Sequence, residues 1–551
     1  MSKREWSGSA RTQPFLIFLV GLALWLSTST SAPAQHQHGL PNEKPPMLLP
    51  GMGTHTHPIS TRSHEAQKFF DQGLILLYGF NRYEALRSFR RAAELDPNAL
   101  MPRWGVAMAL GPHINMDLDG DVQTNELCEA VGAGLALRER APVRERAYID
   151  AVASRCPEYR PVEYQKAMRS LTQQYPDDLD AATLYAESLM LPVRWKWWNA
   201  KGTAAEGVEE AVQVLESVMR RYPDHPGANH FYIHAVEMSP TPERAVPSAQ
   251  RLMGTVPAAG HLVHMPAHIW LLLGEFGLAA DLNEHAAQRD EEYMKATGVT
   301  ASSYAGYYMH NLHFVAYGRA MQGRMTDAIR SAETMSGAAT PFVKDMPMMV
   351  EPFVSAPVFA LVRFQRWDQM LELNRPDVQL LASTALWHFG RGLALASKGK
   401  QQEALREKEA FETARGKVPK DWIWLNNKAP ALLQVASATL DAKLAGNDQA
   451  SIAHWERAVA LQDALSYDEP PPWFYPIRES LGSALLRSGQ AARAEAVFRE
   501  GLRRGPRNGR LLFGLMKSLQ AQRKIDASKL VQREFEAAWK DSDITLRVED
   551  L

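Results

Sequence analysis

The chain predicts an all-α solenoid of helical hairpins with inserted loops, and two patterns in the sequence predict it. Histidines recur in register: His230 and His264 are 34 residues apart, as are His234 and His268, while His261 to His310 and His264 to His313 both span 49. Thirty-four residues is the length of one helix pair with its turns. Small residues, an aromatic and a proline also recur at fixed spacing near both ends of the chain. Length agrees with both patterns: 551 residues, 46% hydrophobic and 22% charged, exceed one small core and require a repeat array or several domains.

At the N-terminus, Lys3, Arg4 and Arg11 precede an apolar run over 15–26, and Ala32-Pro33-Ala34 supplies a small-residue cleavage site. The run is short for a bilayer span. Residues 1–34 therefore predict a signal peptide and export, to a bacterial periplasm, with a retained anchor as the alternative. No later stretch reaches membrane length, so no span is expected after cleavage. Residues 35–60 carry Pro41, Pro45, Pro46 and Pro50 among glycines and histidines and predict an extended arm.

Segment 66–99 places Gly73, Ala85, Phe89, Ala92 and Pro97 at positions 8, 20, 24, 27 and 32 of a 34-residue unit. Segment 475–508 places Gly482, Ala494, Phe498 and Pro506 at 8, 20, 24 and 32. These segments resemble tetratricopeptide repeats, in which small residues sit where paired helices cross and proline stops the second helix. Further pairs are expected near 226–259, 260–293, 309–342, 351–384, 385–418 and 432–465. Residues 61–225 form an N-terminal helical part interrupted by a tryptophan-rich insertion at 194–199. Residues 226–342 are the histidine-bearing repeats, and 343–551 the C-terminal ones.

His261, His264 and His268 fall within about 60° of one helix face, because three and seven residues advance by 300° and 700°. His230, His234 and Glu237 share a second face, and His310 and His313 a third. The resemblance implies that these positions of the first helix in each pair line a concave groove. Neighbouring helices pack at about 8–10 Å, so imidazoles from all three could converge on metal. The eight residues are the candidate ligands. Flanking repeats carry Pro352, Ser355 and Phe359, or Gln67, Phe70 and Leu74, at the matching positions.

Imidazole donors without thiolate suit copper, zinc, nickel or iron rather than magnesium or calcium. Copper is favoured, iron and zinc are open, and the number of donors allows more than one ion. With no zinc-protease, P-loop or nucleophile-elbow motif in a credible setting, catalysis would belong to the metal, as an oxidoreductase. Glu187, placed at position 9 by Ala186, and Tyr317 are the candidate catalytic side chains. The competing readings are a peptide- or protein-binding scaffold, metal storage or delivery, and a metal-dependent hydrolase.

A small molecule or peptide in the groove is the expected partner, with a protein partner on the repeat surface as a further option. Nucleic acid is not expected, since 61 basic and 62 acidic residues leave a net charge of −1 with no long basic block. His55 and His57 could fold onto the groove as late ligands, and His36 and His38 could bind metal loosely. His225, His285 and His388 are read as structural. Cys128 and Cys156 could pair if their helices lie adjacent in an oxidising compartment. The loop 467–476 (YDEPPPWFYP) could cap the groove.

Overall fold

Phenylalanine knobs set the packing of the hairpins at both ends of the chain. In the computed structural model, which describes residues 43–116, 120–299 and 301–551, Phe89 on the helix Arg82–Leu95 presses between Gly73 of His64–Tyr78 and Gly105 of Met101–Leu110. A β-carbon at Gly73 or Gly105 would come within 2.7 or 2.4 Å of that ring. Phe498 does the same between Gly482 and Gly514, at 2.4 and 2.2 Å. Helix pairs therefore stack in a tetratricopeptide-like solenoid, each knob locking its own pair to the next. The proposed signal peptide, His36 and His38 lie outside the described residues.

The remaining pairs follow the expected order. Pro226–Glu237 pairs with Val246–Thr255, and Ala301–Met321 with Met325–Ala339. Leu381–Ser397 pairs with Gln401–Arg415, and Ala429–Leu444 with Asp448–Asp463. The tryptophan-rich insertion separates Leu179–Met190 from its partner Val208–Arg221. A final pair, Gly509–Ala521 and Ile525–Ala538, extends the array beyond the segments picked out by their small-residue spacing. The described residues fall in one compact unit, 42–551. None of their helices is long and apolar enough to cross a membrane.

Proline interrupts the helix that carries most of the histidines. Gly260–His264 ends at Met265, and Pro266–Leu272 begins anew, because Pro266 has no N–H to give to the preceding turn. The His268 N–H bonds instead to the Met265 carbonyl at 3.2 Å. His261, His264 and His268 thus lie on two short helices rather than the one continuous helix assumed from the sequence.

Long-range ties bind the array to itself. The arm runs across the repeats, with Lys44 N–H bonded to the Thr297 carbonyl at 2.8 Å and Ala258 N–H to the Gly51 carbonyl at 3.2 Å. At the other end, the Asp543 carboxylate accepts from the N–H groups of Met325 and Thr326 at 2.7 and 3.0 Å. Gly274, with φ +78°, meets the Pro506 carbonyl so closely that a β-carbon would sit 2.1 Å away. Cys128 and Cys156 form a disulfide.

Candidate metal centre

Six of the seven candidate histidines meet in the interior. His230, His234, His261, His264 and His268 are buried, none more than 3% exposed, while His310 is half-buried. They form two adjoining trios, His230 with His234 and His261, and His264 with His268 and His310, whose ring nitrogens lie within 4.8 Å of one another in each trio. The trios touch through the stacked rings of His261 and His264, 5.4 Å apart, and through His234 and His268 at 5.5 Å. Tetrahedral metal bound by imidazole would bring its ligand nitrogens to about 3.3 Å from each other. Both trios are within side-chain rotation of that arrangement.

The outer nitrogens of four rings are held, and the inner nitrogens of the first trio are not. His230 Nδ1 is 2.5 Å from the Tyr78 carbonyl, and His234 Nδ1 is 2.9 Å from Glu237 Oε1. The Nε2 atoms of His230, His234 and His261 are buried without any hydrogen-bond partner. In the second trio, His264 Nδ1 is 2.6 Å from Asn283 Oδ1, His268 Nδ1 is 2.6 Å from Glu237 Oε2, and the two Nε2 atoms face each other at 2.7 Å. This pattern, with Nδ1 fixed by an oxygen and Nε2 aimed inward, is how proteins orient imidazole for metal.

Glu237 therefore spans the two trios, one carboxylate oxygen on each. It orients His234 and His268. Glu469, from the loop 467–476, makes a second ion pair with His268 Nδ1. Burial disfavours charge on His268, but Glu469 and Glu237 outweigh it and raise its pKa, while burial and the neighbouring Glu237 charge raise that of Glu469 to about 8. Burial, and then the repulsion of neighbouring imidazoles, pushes His230, His261, His264 and His310 well below 6.5. Those four are neutral near pH 7, the form that binds metal.

Aromatic rings close the site. Phe80 lies 4.5 Å from His230 and 5.2 Å from His261, Trp197 is 5.8 Å from His234, and Phe314 is 4.7 Å from His264. The cluster is consequently an enclosed interior site, where the sequence suggested the open wall of a groove. Glu469, Asn283 and Phe80 were not singled out by sequence. The proline-rich loop that carries Glu469 was flagged as a cap, but nothing in its pattern marks the carboxylate as an imidazole partner.

The other candidates lie elsewhere. His313, one turn beyond His310, faces Phe353 at 6.2 Å, and burial lowers its pKa to about 4. It lines, with Tyr317, Phe359, Trp424 and Phe474, a half-open and mainly apolar pocket. Glu187 is 2% exposed and lies among arginines, with burial raising its pKa, and it belongs to none of the potential ligand groups among the described residues. His55 and His57 do not reach the imidazole cluster. They bond Asp180 at 2.9 and 2.8 Å, and His225 joins the same carboxylate at 3.3 Å. His225 also caps the helix Pro226–Glu237 through Nδ1, and His388 pairs with Glu407 at 2.7 Å.

No family model matches this sequence, and no curated protein matches it. Among solved structures the chain is similar to human IFIT1 dimers with m7Gppp-AAAA and with PPP-AAAA. Each shares 12% identity at a TM-score of 0.32, covering 80% and 87% of this chain and 90% and 92% of those. It is also similar to the P58(IPK) TPR domain, at 10% identity and a TM-score of 0.22 over 84% of this chain and 99% of that one. Likeness of that degree says nothing of function, which rests on the site's own residues.

Proposed function

We propose that the protein is an exported helical-repeat metalloprotein that holds transition-metal ions in its six-imidazole cluster and uses them for redox chemistry. The observation that carries this reading is the first trio, three buried Nε2 atoms without partners. Leaving such atoms unpaired in the interior is costly unless a ligand satisfies them. Two trios provide for two ions, the second once His268 gives up its proton, and all-imidazole donors suit copper before iron or zinc.

Redox use is favoured over hydrolysis because the donor set is rich in imidazole and poor in carboxylate. Glu237 has both oxygens on imidazole Nδ1 atoms and is not free to act as a base on bound water. A peptide in the groove would find these buried rings out of reach, which disfavours a pure scaffold. Export is supported by the charged and apolar N-terminal pattern and by the Cys128–Cys156 disulfide, a bond typical of oxidising compartments.

Elemental analysis of the purified mature protein tests the metal, and a redox titration of the loaded protein tests the chemistry. Wild type should hold a stoichiometric redox-active metal, and His234→Ala and His261→Ala should lose the ion of the first trio. Protein that retains no metal even after reconstitution would overturn the reading. Firm occupancy by zinc alone would move it to hydrolysis. Cell fractionation checks export.

A further inference from the structure

Near the first trio lie two arginines, Arg155 buried and Arg82 half-buried, that have no hydrogen-bonded counter-ion among the described residues. Arg155 is 0% exposed, and its Nε and Nη2 have no hydrogen-bond partner. Its Nη1 makes one long contact to the Pro112 carbonyl at 3.5 Å. The group is held flat over the Tyr164 ring, 4.1 Å from its centre, with Tyr159 at 5.8 Å. Gly111 makes room for it, since a β-carbon there would come within 2.2 Å of Nη1.

Arg82 meets Arg155 at the same stretch of backbone. Its Nη2 donates to the Gly111 carbonyl at 2.6 Å, and its Nε is buried and unpartnered. Glu187 acts on both arginines through space, but it accepts a hydrogen bond from the Ile114 N–H, and neither arginine is ion-paired with it. Arg82 and Arg155, with Arg194 acting on it too, thus share one carboxylate. Interior charge left unpaired is strongly unfavourable, and a guanidinium with two free N–H groups matches an oxyanion in two-point geometry.

The placement connects these donors to the first trio. Phe80, two residues before Arg82, has its ring tilted against both His113 at 4.6 Å and His230 at 4.5 Å. Tyr307, which feels the Arg82 charge and hydrogen-bonds Asn115, lies 4.8 Å from His261. One layer of aromatic rings separates the arginines from the imidazoles.

We infer that Arg82 and Arg155 form a binding site for a small oxyanion, a carboxylate or phosphate group, and that this group anchors the substrate next to the first trio. The second half rests on the metal reading above. The anion site itself does not.

The full-length mature protein, as purified, is titrated with inorganic phosphate and with acetate by calorimetry and thermal melting. At least one of the two should bind and raise the melting temperature, the stronger one naming the source. Arg155→Gln and Arg82→Gln should each weaken that binding at least tenfold while leaving metal content unchanged. Arg155→Lys, which keeps the charge but loses the fork, should recover only part of it. In anion-free buffer Arg155→Gln should melt at or above wild type, because it removes an unpaired interior charge, whereas an arginine that serves only the fold would lower it. No binding of either anion to wild type, or equal binding by Arg155→Gln, overturns the inference. Protein that takes up no metal even after reconstitution, yet still binds phosphate through these arginines, would refute the metal reading and leave the anion site standing.

Discussion

Glu237 shows how one residue can tie two sites together. Its oxygens sit at 2.9 Å from His234 Nδ1 and 2.6 Å from His268 Nδ1, and the side chain is fully enclosed. Removing the charge while keeping the shape should therefore weaken metal binding without removing a ligand. Glu237→Gln keeps an oxygen for one imidazole, but its amide nitrogen cannot accept from the other. Loss of such an orienting partner typically costs about 10- to 100-fold in metal affinity. Competition with a chelator should show that loss in one trio for Glu237→Gln and in both for Glu237→Ala, whereas His261→Ala should affect the first alone. An effect of Glu237→Ala confined to one trio would mean that the carboxylate does not bridge them. From the sequence Glu237 stood with the ligands because it shares a helix face with His230 and His234. Face-sharing fixes the side of a helix, but not which nitrogen of a neighbouring ring a carboxylate will meet.

At the level of elements, the repeats were legible because their packing depends on local spacing. Gly73 with Phe89 and Gly482 with Phe498 are 16 residues apart in each hairpin, and the structure has each ring against its glycine. The histidine faces were legible for the same reason. His313 and the broken helix were less so. His313 was grouped with His310 by its spacing, yet its ring turns toward Phe353 of the next repeat. Pro266 was visible, but its effect on aim was not. The break sets His268 Nε2 against His264 Nε2 at 2.7 Å. Pro266→Ala would allow an N–H bond back to the Leu262 carbonyl and join the two short helices. A proline within a helix costs about 3 kcal/mol, so this variant should be at least as stable as wild type. It should nonetheless lose metal from the second trio, as His268 turns away from His264. Metal retained at wild-type stoichiometry in both trios would show that the break has no part in building the site.

Across the whole molecule, the arm is the part whose destination the sequence could not supply, because its partner lies more than a hundred residues away. His55 and His57 clasp Asp180, which also accepts from Tyr78 Oη at 2.7 Å. Burial opposes the charge on Asp180, but the bonds from His225, His55 and His57 prevail and hold its pKa well below 3.8. Burial likewise opposes the charge on His57, but the Asp180 carboxylate, with Asp178 and Asp71 behind it, raises its pKa above 6.5. The two shifts give opposite ends of one window. Stability from Asp180 is present above about pH 3.8 and is lost as acid takes the solution down through its depressed pKa. Stability from His57 is fully present below pH 6.5, its unfolded value, and is lost as pH rises through its raised pKa. The arm should therefore hold most firmly between about pH 4 and 6.5 and loosen toward alkaline pH. Limited proteolysis of residues 43–63 across that range reads this directly. Asp180→Asn removes the charge and one of the two acceptor oxygens that three histidines and a buried tyrosine share, and breaking a buried pair costs about 3–5 kcal/mol. That variant should melt lower and expose the arm to protease at every pH, while the imidazole cluster, which shares no hydrogen bond with Asp180, keeps its metal. Cleavage of the arm that stays constant from pH 5 to pH 9 in wild type would show that this carboxylate does not fasten it.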